Sequence, residues 1–244
     1  MQKYYKQDLA YIHDVGYADF ALKSAPGILQ ILHSNGIRDG LVVDLGCGSG
    51  LWAQQLKKAH YDVLGVDISE SMIRIARKRV PDAEFRVGSL YKAEIPQCRA
   101  VTSLGECLNY LFDPSGGERK LVQLFSRVYD ALADGGVFIF DIAEPGQVPR
   151  GAVVRAFSEG EDWLVAVEKR EDRQRKILTR RITSFRKVGR YYSRDEEVHQ
   201  QWLYSSSDMA RRLRGVGFRV RTIRSYGQYE LAKAHAAFIA RKPG

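Results

Sequence analysis

Between residues 42 and 50 the chain reads Val42-Val43-Asp44-Leu45-Gly46-Cys47-Gly48-Ser49-Gly50, and Leu51-Trp52-Ala53-Gln54-Gln55-Leu56 then takes up helical periodicity. β-Branched residues and an acid end a buried strand, and glycines at alternate positions make a turn whose bare backbone a ligand can approach beside a helix N-terminus. A chain built on this unit is committed to strand–turn–helix architecture around a nucleotide-type ligand. The spacing is G-x-G-x-G. A dinucleotide fingerprint needs glycine at 51, where Leu51 stands, so a nicotinamide dehydrogenase is disfavoured.

Strands and helices continue to alternate downstream. Leu41–Leu45 and Asp62–Asp67 read as strands, separated by a helix over Leu51–Ala59. Ser69 is placed to cap a helix that runs to about Arg79. Ala83–Val87 and Ala100–Leu104 follow as strands, then a helix over Gly117–Ala133 and a turn at Asp134-Gly135-Gly136 into the strand Val137–Asp141. Apolar strands alternating with helices imply a parallel sheet covered on both faces. Residues 4–35 read as helical, broken at Pro26-Gly27 and ended by Asn35-Gly36. After Pro149 the texture changes. Ala152–Phe157, Trp163–Lys169, Lys176–Arg186 and Arg190–Leu203 alternate polar with apolar residues, as in an antiparallel meander with one wet face. A helix over Ser205–Arg214, capped at Ser207-Asp208, and strands at Gly217–Ile223 and Ala236–Arg241 complete the chain. The expected division is a helical N-terminal segment (1–37), an α/β core (38–149 with 205–244) and an inserted sheet (150–204).

The 244 residues, 45% of them hydrophobic, support one large core. No apolar run approaches a membrane span, and the first eight residues lack the apolar centre of a signal peptide. Cys47, Cys98 and Cys107 form no CxxC pair, and the histidines are scattered, so neither disulfides nor a metal is expected; a reducing cytoplasm fits. The net charge of +9 is concentrated in residues 150–224, which hold 19 Lys/Arg against 10 Asp/Glu. A solvated basic face explains this better than a nucleic-acid surface.

Asp67 ends the second strand, where a carboxylate can accept hydrogen bonds from both hydroxyls of a ribose. With Asp44–Gly50, Val66-Asp67, Gly88-Ser89, Ser103–Leu111, Asp134–Asp141 and Gly217-Phe218, the chain resembles the class I S-adenosylmethionine-dependent methyltransferases. The resemblance implies a Rossmann-like, seven-stranded mixed α/β sheet in the order 3-2-1-4-5-7-6, with strand 7 antiparallel and helices on both faces. The antiparallel meander is then an insertion after strand 5. S-adenosylmethionine would cross the carboxyl ends of strands 1 and 2. Gly46, Cys47, Gly48 and Gly50 would approach its amino-acid portion and sugar, Asp44 would order the loop, and Asp67 would take the ribose hydroxyls. Ile68 would pack on the adenine, Ser89 and the Leu90 backbone would meet its amino group, and Leu104 would lie near the methyl group. Residues 1–37 would fold over as a lid, with Tyr11 and His13 reaching the cofactor carboxylate or the substrate.

Because the cofactor carries the activation, the protein supplies alignment, water exclusion and sometimes a base. Glu106 is a candidate base if desolvation raises its pKa; capping the following helix is an equal alternative. His13 is the second candidate, set against a surface or capping histidine. Asn109, Tyr110, Glu144, Arg155 and Tyr204 are candidate acceptor-binding residues, and Trp163, Arg181, His199 and Trp202 could join them from the meander. For Tyr110, core packing is an equal reading. An arginine there suits a carboxylate or phosphate. The expectation is methyl transfer to an oxygen or nitrogen of a small, anionic molecule, by a monomer or homodimer. Rival readings are an RNA methyltransferase and a cofactor-binding protein without catalysis.

Overall fold

The computed structural model describes residues 4–113 and 117–244, so the first three residues of the expected N-terminal segment lie outside it. Two helices open the chain, α1 (Gln7–Gly16) and α2 (Asp19–Ser34). The expected break at Pro26-Gly27 is absent: α2 runs through it, and the chain bends instead at Tyr17-Ala18. Pro26 deprives the Leu22 carbonyl of its donor, but both residues lie on the exposed side, where water can serve that carbonyl. Asn35-Gly36 ends the helix as expected, with Gly36 left-handed and Ile37 N–H returning to Leu32 O.

The α/β units follow in order: β1 (Leu41–Leu45), α3 (Leu51–Lys58), β2 (Asp62–Asp67), α4 (Glu70–Arg79), β3 (Glu84–Val87), β4 (Cys98–Ser103), α5 (Glu118–Ala131) and β5 (Leu132–Ala143). Ser69 caps α4, its hydroxyl accepting from Met72 N–H. The Asp134-Gly135-Gly136 turn lies inside β5 as an irregularity. Between the pairs Cys98–Leu132 and Ala100–Val137 the register shifts, and the extra residues loop out at Gly135. The meander comprises β6 (Val154–Glu159), β7 (Trp163–Asp172), β8 (Ile177–Val188) and β9 (Tyr191–Trp202). Then come α6 (Ser206–Val216), β10 (Arg219–Ile223), a small hairpin of β11 (Ser225–Tyr226) and β12 (Tyr229–Glu230), and β13 (His235–Arg241). Ser205, rather than Ser207 or Asp208, caps α6.

The large sheet has the order β3-β2-β1-β4-β5-β13-β10, with β13 antiparallel to both neighbours. This is the 3-2-1-4-5-7-6 order expected. β5 is buried on both faces. Phe138, Phe140 and Ile142 pack towards α5 and α6, with the Phe140 and Phe238 rings stacked at 4.8 Å, while Val137 and Ile139 pack with Ile28, Leu32 and Trp52 of α2 and α3. Burying each such side chain contributes about 1.5–3 kcal/mol. The order reverses between β1 and β4, and that edge is where an open α/β sheet offers a crevice.

The meander forms its own sheet, β6-β7-β8-β9. Its register puts successive cross-strand rows on one face: Ser158–Val165–Ser184–Asp195, Ala156–Val167–Ile182–Glu197 and Val154–Lys169–Arg180–His199. Leu9 and Ile12 of α1 pack against Trp163, Val165 and Ile182 on that face. The N-terminal segment thus lies between the meander and the carboxyl edge of the large sheet.

Candidate active site

A cavity of about 800 Å³ opens at the carboxyl ends of β1, β2 and β4, roofed by α1 and by the inner face of the meander. This volume is in the range of small-molecule sites. Its floor is the glycine turn. Gly46 and Cys47 N–H groups both donate to Val66 O, which ties the turn to β2. A side chain at 46 would drive its Cβ to 2.4 Å from Cys107 Sγ, so only glycine lets the two loops meet. Gly48 has φ +52° and open space where a Cβ would stand, so its backbone faces the cavity bare.

Asp67 closes this end. Its carboxylate accepts from Gly48 N–H (2.9 Å) and Ser69 N–H (2.8 Å), and burial raises its pKa despite those two bonds. The acid therefore has acceptor capacity to spare for further donors. Asp44, deeper in, is pushed up to about 7 by burial, although Thr102 Oγ1 donates to it at 2.7 Å and Trp52 Nε1 in turn to Thr102. Two carboxyl groups short of compensation, beside open backbone, fit a ligand with a ribose diol and positive charge. Ile68, Ser89, Leu90 and Leu104 also line this part of the cavity. Gly50 does not. Its φ of +79° starts α3, and its Cα packs towards Ala76 of α4.

Glu106 sits in the left-handed region (φ +61°), held there by Asp141, whose carboxylate accepts from Gly105 N–H and Glu106 N–H. Asp141 also accepts from Tyr226 OH, and its burial lifts it to about 6. The Glu106 side chain neither caps the short turn Cys107–Asn109 nor becomes a base. Oε2 accepts from Arg180 (2.9 Å) and Gln201 (2.7 Å), and Oε1 meets His235 Nε2 at 2.6 Å. Burial pushes the carboxyl up, but Arg180, His235 and Gln201 together hold it well below the usual carboxylate range. A base needs affinity for a proton, and this one has lost it to ion pairing.

His13 differs. Burial lowers its pKa to about 4, so the ring is neutral, and its buried Nδ1 has no hydrogen-bond partner among the described residues. The ring lies against Tyr5, whose hydroxyl meets Tyr110 OH at 3.1 Å; Arg180 reaches the same Tyr110 oxygen at 3.5 Å. Tyr110 thus lines the cavity.

Several expected site residues lie elsewhere. Tyr11 turns outward to Asp162 and beneath the Arg186 guanidinium. Asn109 is wholly buried, and its amide bonds Ala143 and Trp202 backbone, joining the 104–110 loop to the end of β5. Glu144 pairs with Arg224 and accepts from Ser206 N–H. Tyr204 is packed in the core behind the sheet. Arg155 is exposed on the outer meander face, paired with Glu168.

In their place the structure supplies Tyr5, Lys169, Arg180 and His235. For the meander cations the signal is uneven. On β7, Trp163, Val165 and Val167 are in phase with 169, whereas on β8 Leu178 and Ile182 are in phase with 180 but Ile177 and Phe185 with 181. Alternation within β8 therefore does not select Arg180 over Arg181, and its register against β7 does. His235 has no local signal, because only the pairing of β13 with β5 brings it to the sheet edge.

Comparison with known proteins bears on the family of the chain. A methyltransferase domain family matches residues 42–136. A putative methyltransferase of Geobacillus sp. (strain WCH70) is 34% identical over 106 residues, 41% of each chain. The chain thus spans about two fifths of that relative's length. The dTDP-3-amino-3,4,6-trideoxy-alpha-D-glucopyranose N,N-dimethyltransferase of Streptomyces venezuelae is 30% identical over 173 residues, covering 69% of this chain and 67% of the relative. An S-adenosylmethionine-dependent methyltransferase structure from Clostridium acetobutylicum superposes with a TM-score of 0.81 at 20% identity, over 96% of this chain and 97% of that one. From its glycine turn, its sheet order and these relatives, the chain belongs to the class I S-adenosylmethionine-dependent methyltransferases.

Proposed function

We propose that this protein transfers the methyl group of S-adenosylmethionine to an oxygen or nitrogen of a small molecule held between the glycine turn and the meander. The observation that carries the reading is Asp67, fixed by Gly48 and Ser69 N–H groups at the mouth of the turn with its remaining lone pairs free for a diol. Gly46, Cys47 and Gly48 would receive the amino-acid portion and sugar, Ile68 the adenine face, and Ser89 with Leu90 the adenine edge. When bound, the cofactor supplies an activated methyl group on a sulfonium. The protein's part is to align an acceptor lone pair and keep water out.

Residues 4–16 serve as the lid in this reading. Tyr5 and His13 face the cavity from it, and burial has lowered the proton affinity of neutral His13, so the ring shapes the lid instead of serving as a base. Glu106 acts by position, holding Arg180 and His235 at the acceptor end. The cations there favour an acceptor carrying a negative group. Three free thiols suit a reducing cytoplasm.

Calorimetry with S-adenosylhomocysteine tests the reading. The native protein should bind it. Asp67→Asn, which faces one N–H donor with an amide donor, should bind about tenfold more weakly or worse. Absence of heat with the native protein would overturn the proposal.

A further inference from the structure

We propose that the meander end of the cavity is a subsite for a carboxylate or phosphate group on the methyl acceptor, and that Lys169 is the residue that selects it. The inference rests on the methyltransferase reading above and names the chemistry of its acceptor. Lys169 on β7 and Arg180 on β8 are directly opposite across the strand pair, on the inner face, and both line the cavity. Like charges so placed repel, which costs stability unless a negative group lies between them.

Among the described residues no carboxylate pairs with or hydrogen-bonds Lys169, and Glu106 reaches it only through its field. Both oxygens of Glu106 are committed, Oε2 to Arg180 and Gln201 and Oε1 to His235. Lys169 has no ion pair or hydrogen bond among the described residues, whereas Arg155 and Arg170 of the same sheet are paired with Glu168. Burial and the neighbouring Arg180 depress the Lys169 pKa, and the nearby Glu106 carboxylate, which is paired with Arg180 and His235, only partly offsets them. A third cation adds to the field. His235 Nδ1 faces the Lys233 carbonyl at 2.9 Å and Nε2 faces the Glu106 carboxylate, so both ring nitrogens meet acceptors, which favours the charged imidazole and raises its pKa. Beside these cations the wall is apolar, formed by Val165, Val167 and Ile182. The acceptor that fits has an apolar body and an anionic end.

The test titrates inorganic pyrophosphate and malonate into the protein by calorimetry, with and without saturating S-adenosylhomocysteine. Lys169→Met, Lys169→Arg and, as a control on the outer face of the same sheet, Arg181→Met are compared with the native protein. At least one anion should bind. Lys169→Met should weaken it about tenfold, Lys169→Arg should restore it, and Arg181→Met should leave it unchanged. The anion that binds more tightly tells a phosphate from a carboxylate. Retained affinity of Lys169→Met for S-adenosylhomocysteine verifies its fold, with Lys169→Gln as the second variant. If neither anion binds, or Lys169→Met and Arg181→Met act alike, the subsite is wrong. Binding of S-adenosylhomocysteine without either anion would sink the subsite alone; failure of S-adenosylhomocysteine itself would sink the methyltransferase reading.

Discussion

Glu106 and Asp67 are both acids at the cavity edge, and opposite balances of burial and pairing act on them. Asp67 keeps only two backbone donors, so burial wins and its pKa rises; Glu106 gains Arg180, His235 and Gln201, so pairing wins and its pKa falls. The partners have a pH signature. Glu106, depressed in the folded state, contributes stability above its unfolded value of about 4.3, and that contribution is lost as pH falls below it. His235 is raised, so its contribution is complete below about 6.5 and is lost as pH rises through its folded value. Glu106→Gln removes both. The stability difference between native protein and variant should peak between about pH 5 and 6.5, at about 3 kcal/mol, and shrink on either side. Urea denaturation of both proteins across pH measures it. A difference flat with pH would show that the carboxylate and imidazole are not coupled.

At the scale of elements, α2 shows how packing overrides local signals. Pro26-Gly27 has the composition of a break, yet the helix passes through it. Gly27 is there because α2 crosses the β11–β12 hairpin: a Cβ at 27 would stand 2.2 Å from the Tyr226 carbonyl carbon. Alanine would ordinarily gain about 1 kcal/mol inside a helix. Here backbone meets backbone, so Gly27→Ala should instead destabilise the protein by about 2 kcal/mol, as read from its denaturant midpoint. A stabilised variant would mean that the crossing yields easily. The meander teaches a related lesson. Its four strands were legible from alternation, but the face that turns inward, and with it Lys169 and Arg180, is fixed by the packing of Leu9 and Ile12 on Trp163, Val165 and Ile182. Arg155 and Arg181 were attractive as arginines and wrong in phase.

Across the whole molecule the N-terminal segment is tied to the meander on one side and to α4 on the other. Glu197 on β9 accepts from Tyr5 N–H (2.7 Å) and Lys6 N–H (2.8 Å) and meets His199 Nε2 at 2.7 Å. On the other side Ser69 Oγ donates to Tyr5 O, and Asp14 receives the Arg79 guanidinium at 2.6 Å and 3.0 Å. Replacing Glu197 by Ala leaves two backbone donors and a buried histidine without their acceptor. Amides of α1 should then exchange with solvent about tenfold faster or more, while those of β1, β4 and β5 keep their protection. Uniform loss of protection would place Glu197 in the global fold instead of the lid.

The glycine spacing, the acid ending β2 and the apolar strands determined the parallel sheet, its cofactor edge and the floor of the cavity by themselves. Each is a local pattern, carried by residues within one strand–turn–helix unit, so neighbours in sequence suffice to specify it. The roof and the acceptor end were decided by tertiary structure. Glu106, Arg180, Gln201 and His235 come from four separate elements, up to 129 positions apart, and become one ionic cluster only when the meander folds back over β4 and β13 lies against β5. The protonation of these groups follows from burial and proximity. Those are properties of the folded arrangement, and no residue carries them alone.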